Sequence, residues 1–200
     1  LIISVFFDIQ HYVTFIYLDT SINITINGIS NKYFIQESTG FEKMGIFDIF
    51  KNNTNYLNKK GVKLLNNGEY SGALKYFNKA LELEPDSYRT RFNRAITFWE
   101  LGKTYEAIKE YDMVLDIYPG YAGAWLNLGV IISILGRYKD ALVFLDTALE
   151  LDPEDAIIWY TKGLILEKID RSNEALKCMD KALKLDPDLQ FEEIEFIELY

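Results

Sequence analysis

All four prolines of this 200-residue chain, Pro85, Pro119, Pro153 and Pro187, stand 34 residues from the next. A fixed interval of this size marks a solenoid in which one supersecondary unit stacks on copies of itself. Aligned on the prolines, the units begin at Thr54, Tyr88, Ala122 and Ala156. Their eighth positions are Gly61, Ala95, Gly129 and Gly163, and their twentieth are Ala73, Ala107, Ala141 and Ala175. Two helices approach closely only where side chains are small, so these columns predict the crossing point of a helical hairpin. The twenty-fourth column, Phe77, Tyr111, Leu145 and Met179, is large and fills the space left beside the small residues. The twenty-seventh, Ala80, Val114, Ala148 and Ala182, is small or β-branched and lets the second helix pack on the next unit.

Gly68, Gly102 and Gly136 fall between the two helices, where a left-handed residue closes the first one; the fourth unit has Asp170 instead. Each proline ends a second helix, and Asp86, Asp155 and Asp188 are expected to cap the start of the next helix. The fourth column holds Trp125 and Trp159 but also Leu57 and Arg91. The Arg91 stem is expected to cover apolar surface while its head reaches water, softening that repeat locally.

Trp125, Leu128, Gly129, Ala141, Ala148 and Pro153 together resemble the tetratricopeptide repeat family. The resemblance implies an all-α fold, a right-handed superhelical solenoid of four tandem helix-turn-helix hairpins at residues 54–87, 88–121, 122–155 and 156–187. It also implies a non-enzymatic adaptor or scaffold, binding a peptide or helix in a concave groove lined by the first helices. The family's groove-facing positions map here onto Asn55, Asn58 and Val62; Arg89, Phe92, Asn93, Ile96 and Trp99; Gly123, Leu126, Asn127 and Val130; and Ile157, Tyr160, Thr161 and Leu164. Asn93 and Asn127, one repeat apart, can hold a ligand backbone, or they can bond neighbouring helices. Phe92, Trp99 and Tyr160 would supply buried area. Family members that hold the acidic tails of heat-shock chaperones carry a Lys, Asn and Arg clamp. The matching positions here are Asn58, Val62, Asn93, Gly123 and Asn127, of which Asn93 alone agrees, so that ligand is not expected.

A formal charge of −9 and a pI near 4.7 argue against nucleic acid, whose phosphates demand clustered Lys and Arg, and favour a partner segment with basic flanks. The single cysteine, Cys178, reads as a small buried residue and fits a reducing, cytoplasmic setting. The single histidine, His11, lies outside the repeats, so histidine triads and multi-histidine metal sites have no material there. Adjacent acids such as Glu154 with Asp155 or Glu192 with Glu193 do not face each other on a helix. No enzyme activity and no cofactor or metal is expected.

The flanks carry weaker signals. Residues Leu1 to Phe7 are apolar, but Asp8, Gln10, His11 and Asp19 interrupt the stretch well before the ~20 residues that span a bilayer. A membrane role is therefore not expected. Ser21 to Ile26 alternates polar and apolar residues before Asn27 and Gly28, which predicts a strand, a turn and a return strand through Tyr33 to Ile35. The chain opens on Leu1, and Met44 precedes a plausible leader at 44–53, so residues 1–43 read as an uncertain segment or an upstream extension. Ile46, Phe47, Ile49 and Phe50 form a candidate apolar plug for the first hairpin. Residues 188–200 read as an acidic amphipathic helix capping the fourth hairpin or regulating the groove. The alternative to an adaptor is a structural homo-oligomer that self-associates through exposed apolar surface on its terminal repeats.

Overall fold

The computed structural model describes residues 2–6, 12–18, 21–26 and 29–34 at the level of backbone, and residues 53–189 in full. The chain divides into two compact units, Leu1–Gly45 and Ile46–Tyr200.

In the first unit β1 (Ile2–Phe6), β2 (Tyr12–Leu18), β3 (Ser21–Ile26) and β4 (Ile29–Phe34) form an antiparallel meander in chain order. The anticipated strand is β3, whose Ile26 pairs with Ile29 of β4; the anticipated turn at Asn27 and Gly28 lies outside the described residues. The return strand starts at Ile29, earlier than anticipated, and β1 and β2 extend the hairpin to four strands. The β-branched and aromatic content of Tyr12–Leu18 is the signal available for β2, because such side chains suit a pleated surface.

The second unit holds eight helices among the described residues: α1 (Thr54–Asn66), α2 (Tyr70–Leu83), α3 (Tyr88–Glu100), α4 (Thr104–Ile117), α5 (Ala122–Ile134), α6 (Tyr138–Leu151), α7 (Ala156–Lys168) and α8 (Ser172–Leu185). They pack as successive hairpins, each also resting on the next, in an all-α solenoid. At the hairpin crossings Ala73, Ala95, Ala107 and Ala141 are fully buried. A Cβ on Gly61 would lie 2.5 Å from Phe77 Cε1, and one on Gly163 would lie 2.9 Å from Met179 Cγ. The large column thus occupies the volume that the small column vacates.

Each first helix closes in the same way. Gly68, Gly102, Gly136 and Asp170 have φ of 75°, 69°, 78° and 60°. In each case the next residue's N–H reaches back five residues, as Glu69 does to Leu64 and Arg171 to Leu166, completing a Schellman closure. Of the expected caps, Asp155 accepts hydrogen bonds from the Ile157 and Ile158 amides. Asp86 does not cap: Ser87 takes the cap position of α3, and its hydroxyl meets that of Thr90 at 3.0 Å. Asn53, not anticipated, caps α1 through the Asn55 and Tyr56 amides.

Arg91 departs from expectation, because its head is half-buried and bonded within the chain. The Trp125 and Trp159 indole N–H groups donate to the Pro119 and Pro153 carbonyls at 2.8 and 2.9 Å. Arg91 Nε donates to the Pro85 carbonyl at 2.9 Å in the equivalent place. A guanidinium can replace an indole there because both present a planar N–H to the same acceptor. The rest of the Arg91 head pairs with Glu110, which also binds Arg94 at 2.8 Å. The plug residues Ile46, Phe47, Ile49 and Phe50 and the acidic stretch 190–200 lie outside the described residues.

Candidate functional site

The first helices are neighbours along the array, α1 touching α3 and α5 touching α7, so residues from successive hairpins share one face. On it Arg89 is exposed; Asn58, Val62, Asn93, Trp99 and Leu164 are half-buried; Phe92, Ile96, Leu126, Asn127, Val130, Tyr160 and Thr161 are buried. Burial deepens toward the third and fourth hairpins because α5 is apolar on most of its circumference, with Leu126 to Ser133 buried without a break. Phe92 packs edge-on against Tyr111 and Tyr121, with ring centroids 5.6 and 4.9 Å away. Its area is therefore largely spent within the chain.

The polar residues of this face form a series. Asn93 Nδ2 donates to Asn58 Oδ1 at 3.1 Å, between successive repeats. Asn127 Nδ2 donates to the Tyr111 hydroxyl at 2.9 Å in the interior. The next equivalent pair is Thr161 with Leu145, and Leu145 offers no acceptor, which leaves Thr161 Oγ1 buried with no hydrogen-bond partner among the described residues. In this structure the two asparagines thus bond neighbouring helices. Burial pushes the Tyr111 phenol far up, against the opposing effect of the Asn127 bond.

Hollows open here among the described residues. A notch of about 30 Å³ is lined by Ile96, Trp99 and Glu100 of α3, Tyr111 of α4, and Asn127, Val130 and Ile131 of α5. A polar cleft of about 360 Å³ lies where α1 and α3 begin, among Asn53, Thr54, Asn55, Asn58, Glu84, Ser87, Arg89 and Thr90. The groove columns alone miss Tyr111, which belongs to a second helix and reaches the notch through its long ring. They also miss Glu100 and Glu84, which sit at helix ends. Beside the cleft, Tyr88, Tyr118 and Tyr121 pack with centroids 5.1 to 6.1 Å apart, and Arg89 Nε donates to the Tyr88 hydroxyl at 3.1 Å.

Among the described residues no helix is long and apolar enough to cross a membrane, and no acidic, histidine or cysteine cluster has the make-up of a metal site. Cys178 is buried in α8, and burial pushes its thiol up, away from the reactive thiolate.

A helical-hairpin solenoid with hollows along its first helices is the architecture of a protein-interaction module. Residues 58–122, 122–155 and 156–189 each match a profile described as tetratricopeptide repeat, and the chain belongs to that family, whose members bind other polypeptides. An uncharacterized protein of Methanocaldococcus jannaschii is 46% identical over 52 residues, 26% of this chain and 60% of that relative, so less than two thirds of its length is matched. The crystal structure of MamA superposes with a TM-score of 0.62 at 20% identity, over 71% of this chain and 83% of that one. The pilF protein of Pseudomonas aeruginosa gives 0.64 at 24% identity, over 68% and 62%. MamA 41-end from Desulfovibrio magneticus RS-1 gives 0.59 at 25%, over 67% and 76%. These likenesses concern the fold.

Proposed function

We propose that the chain is a non-enzymatic adaptor that holds an extended or helical segment of another polypeptide against its first helices. The observation that carries this is the convergence of Ile96, Trp99, Asn127 and Val130, from two successive hairpins, around one notch. A small apolar group of the ligand enters there, with the half-buried Trp99 as the flat surface beside it. Asn58 and Arg89 in the polar cleft bond to the ligand's main chain. Glu100 on the notch and Glu84 on the cleft attract basic flanks, in keeping with the net charge. The single, buried thiol suits a cytoplasmic setting.

The test is selection of peptides from a random display library on the full chain, followed by anisotropy titrations of the selected sequences. Trp99→Ala should weaken them by about 2 kcal/mol, roughly thirtyfold. Val143→Ala, at an exposed position on α6, should leave them unchanged. Peptides that bind Trp99→Ala as tightly as the parent but lose affinity for Val143→Ala would move the binding face to the second helices.

A further inference from the structure

The two ends of the array carry the separated halves of one junction. Where a hairpin precedes, the third position of its successor's first helix is closed off: Thr90, Ala124 and Ile158 are at most 1% exposed. The equivalent residue of α1, Tyr56, is 44% exposed. Where a hairpin comes after, the twenty-first and twenty-eighth positions are withdrawn from solvent: Leu81, Leu142 and Leu149 are buried, and Leu74, Ile108 and Leu115 are half-buried. In α8 the same positions are Leu176 and Leu183, exposed to 64% and 37%.

Charge obeys the same logic. At the first junction Arg94 Nη1, in the seventh position, donates to Asn78 Oδ1, in the twenty-fifth, at 2.7 Å. At the third, Lys162 bridges Asp146 in those same positions at 2.5 Å. The middle junction has Leu128 and Asp112 instead, and no ion pair forms between them. The seventh position of α1 is Lys60, which enters no ion pair among the described residues. The twenty-fifth position of α8 is Asp180, which among the described residues pairs with Lys184, exposed and on its own helix. One end therefore presents a cation beside an aromatic ring, and the other an anion beside two leucines.

We propose that α8 of one copy receives α1 of a second copy, head to tail, with Lys60 standing to Asp180 as Lys162 stands to Asp146. The apolar part of the contact is Tyr56 on Leu176 and Leu183. Because the two surfaces differ, the contact is heterologous and leaves a fresh α1 and a fresh α8 at the ends of every assembly that does not close into a ring. Association is open, and species larger than dimers accumulate with concentration. The groove is not needed for this contact, so the inference stands apart from the ligand reading.

Sedimentation velocity on the full chain across the micromolar range tests it. The parent should shift to larger species with concentration. Lys60→Glu and Asp180→Lys, both at surface positions and checked for folding by circular dichroism, should each weaken association about tenfold or more by setting like charges together. An equimolar mixture of the two variants should regain it. Along alternating copies the two reversed charges then face each other at one contact, and the native Lys60 and Asp180 face each other at the next. A parent that stays monomeric overturns the proposal, as does association indifferent to both reversals or reversals that mixing does not rescue. A full chain that associates only after residues 190–200 are removed also overturns it, by assigning the α8 face to the chain's own acidic segment.

Discussion

Removing the Tyr111 hydroxyl tests whether the floor of the notch is held by the bond to Asn127. The two groups meet at 2.9 Å, with Tyr111 2% and Asn127 7% exposed, so Tyr111→Phe leaves a buried amide donor without its acceptor. An orphaned neutral group of this kind costs about 1–3 kcal/mol, and the less polar ring offsets part of that. A loss of about 1–2 kcal/mol is expected, read as a lower urea midpoint in far-ultraviolet circular dichroism. Tyr111→Phe combined with Asn127→Leu should recover most of it, because both polar partners are then gone. The same hydroxyl gives a pH signature. Burial pushes its ionisation far above the ordinary tyrosine value of about 10, so above that pH the unfolded chain gives up the proton first. The Tyr111 contribution is whole below about pH 10 and declines above it, by up to about 1.4 kcal/mol per pH unit, until the folded value is passed. The Phe variant should lack that component of the alkaline slope. A Tyr111→Phe protein as stable as the parent, or a double variant no better than the single, would refute the reasoning.

Two further substitutions probe the irregular fourth hairpin. Thr161→Val removes a buried hydroxyl that has no partner among the described residues, and should raise stability by about 1 kcal/mol, a few degrees in thermal midpoint. Asp170→Gly relieves a side chain held at φ 60° and should add about 0.5–1 kcal/mol in urea unfolding, whereas unchanged stability would show that the carboxylate compensates locally.

The hairpin solenoid is legible in the sequence because its causes are local and repeated: a proline stops a helix and a small residue lets two cross four times over, and a glycine closes the first helix in three of the four units. Arg91 is misread when residue type stands in for hydrogen-bond direction, since the acceptor, the Pro85 carbonyl, is main chain and leaves no mark in the sequence. The asparagines stay open between ligand and structure at the level of sequence, because the deciding partner differs by column. Asn127 finds a tyrosine across the hairpin boundary, Asn93 finds Asn58, and Thr161 finds nothing. Chemistry alone favours Asp86 as a cap, while the chain geometry after Pro85 places Ser87 at that position. The first two strands escape a reading that weighs their apolar residues against a membrane span and not against a sheet.

The placement of the three tryptophans makes the chain its own optical reporter. Trp125 and Trp159 each donate an indole N–H to a proline carbonyl at a different junction, so their emission tracks whether successive hairpins remain pinned together. Trp99 faces the notch instead, and its emission moves to shorter wavelength when something dry covers it. Occupancy of the notch and separation of the hairpins therefore act on different chromophores. Single-tryptophan variants can distinguish a ligand that settles on the array from one that pries it open, without any attached label.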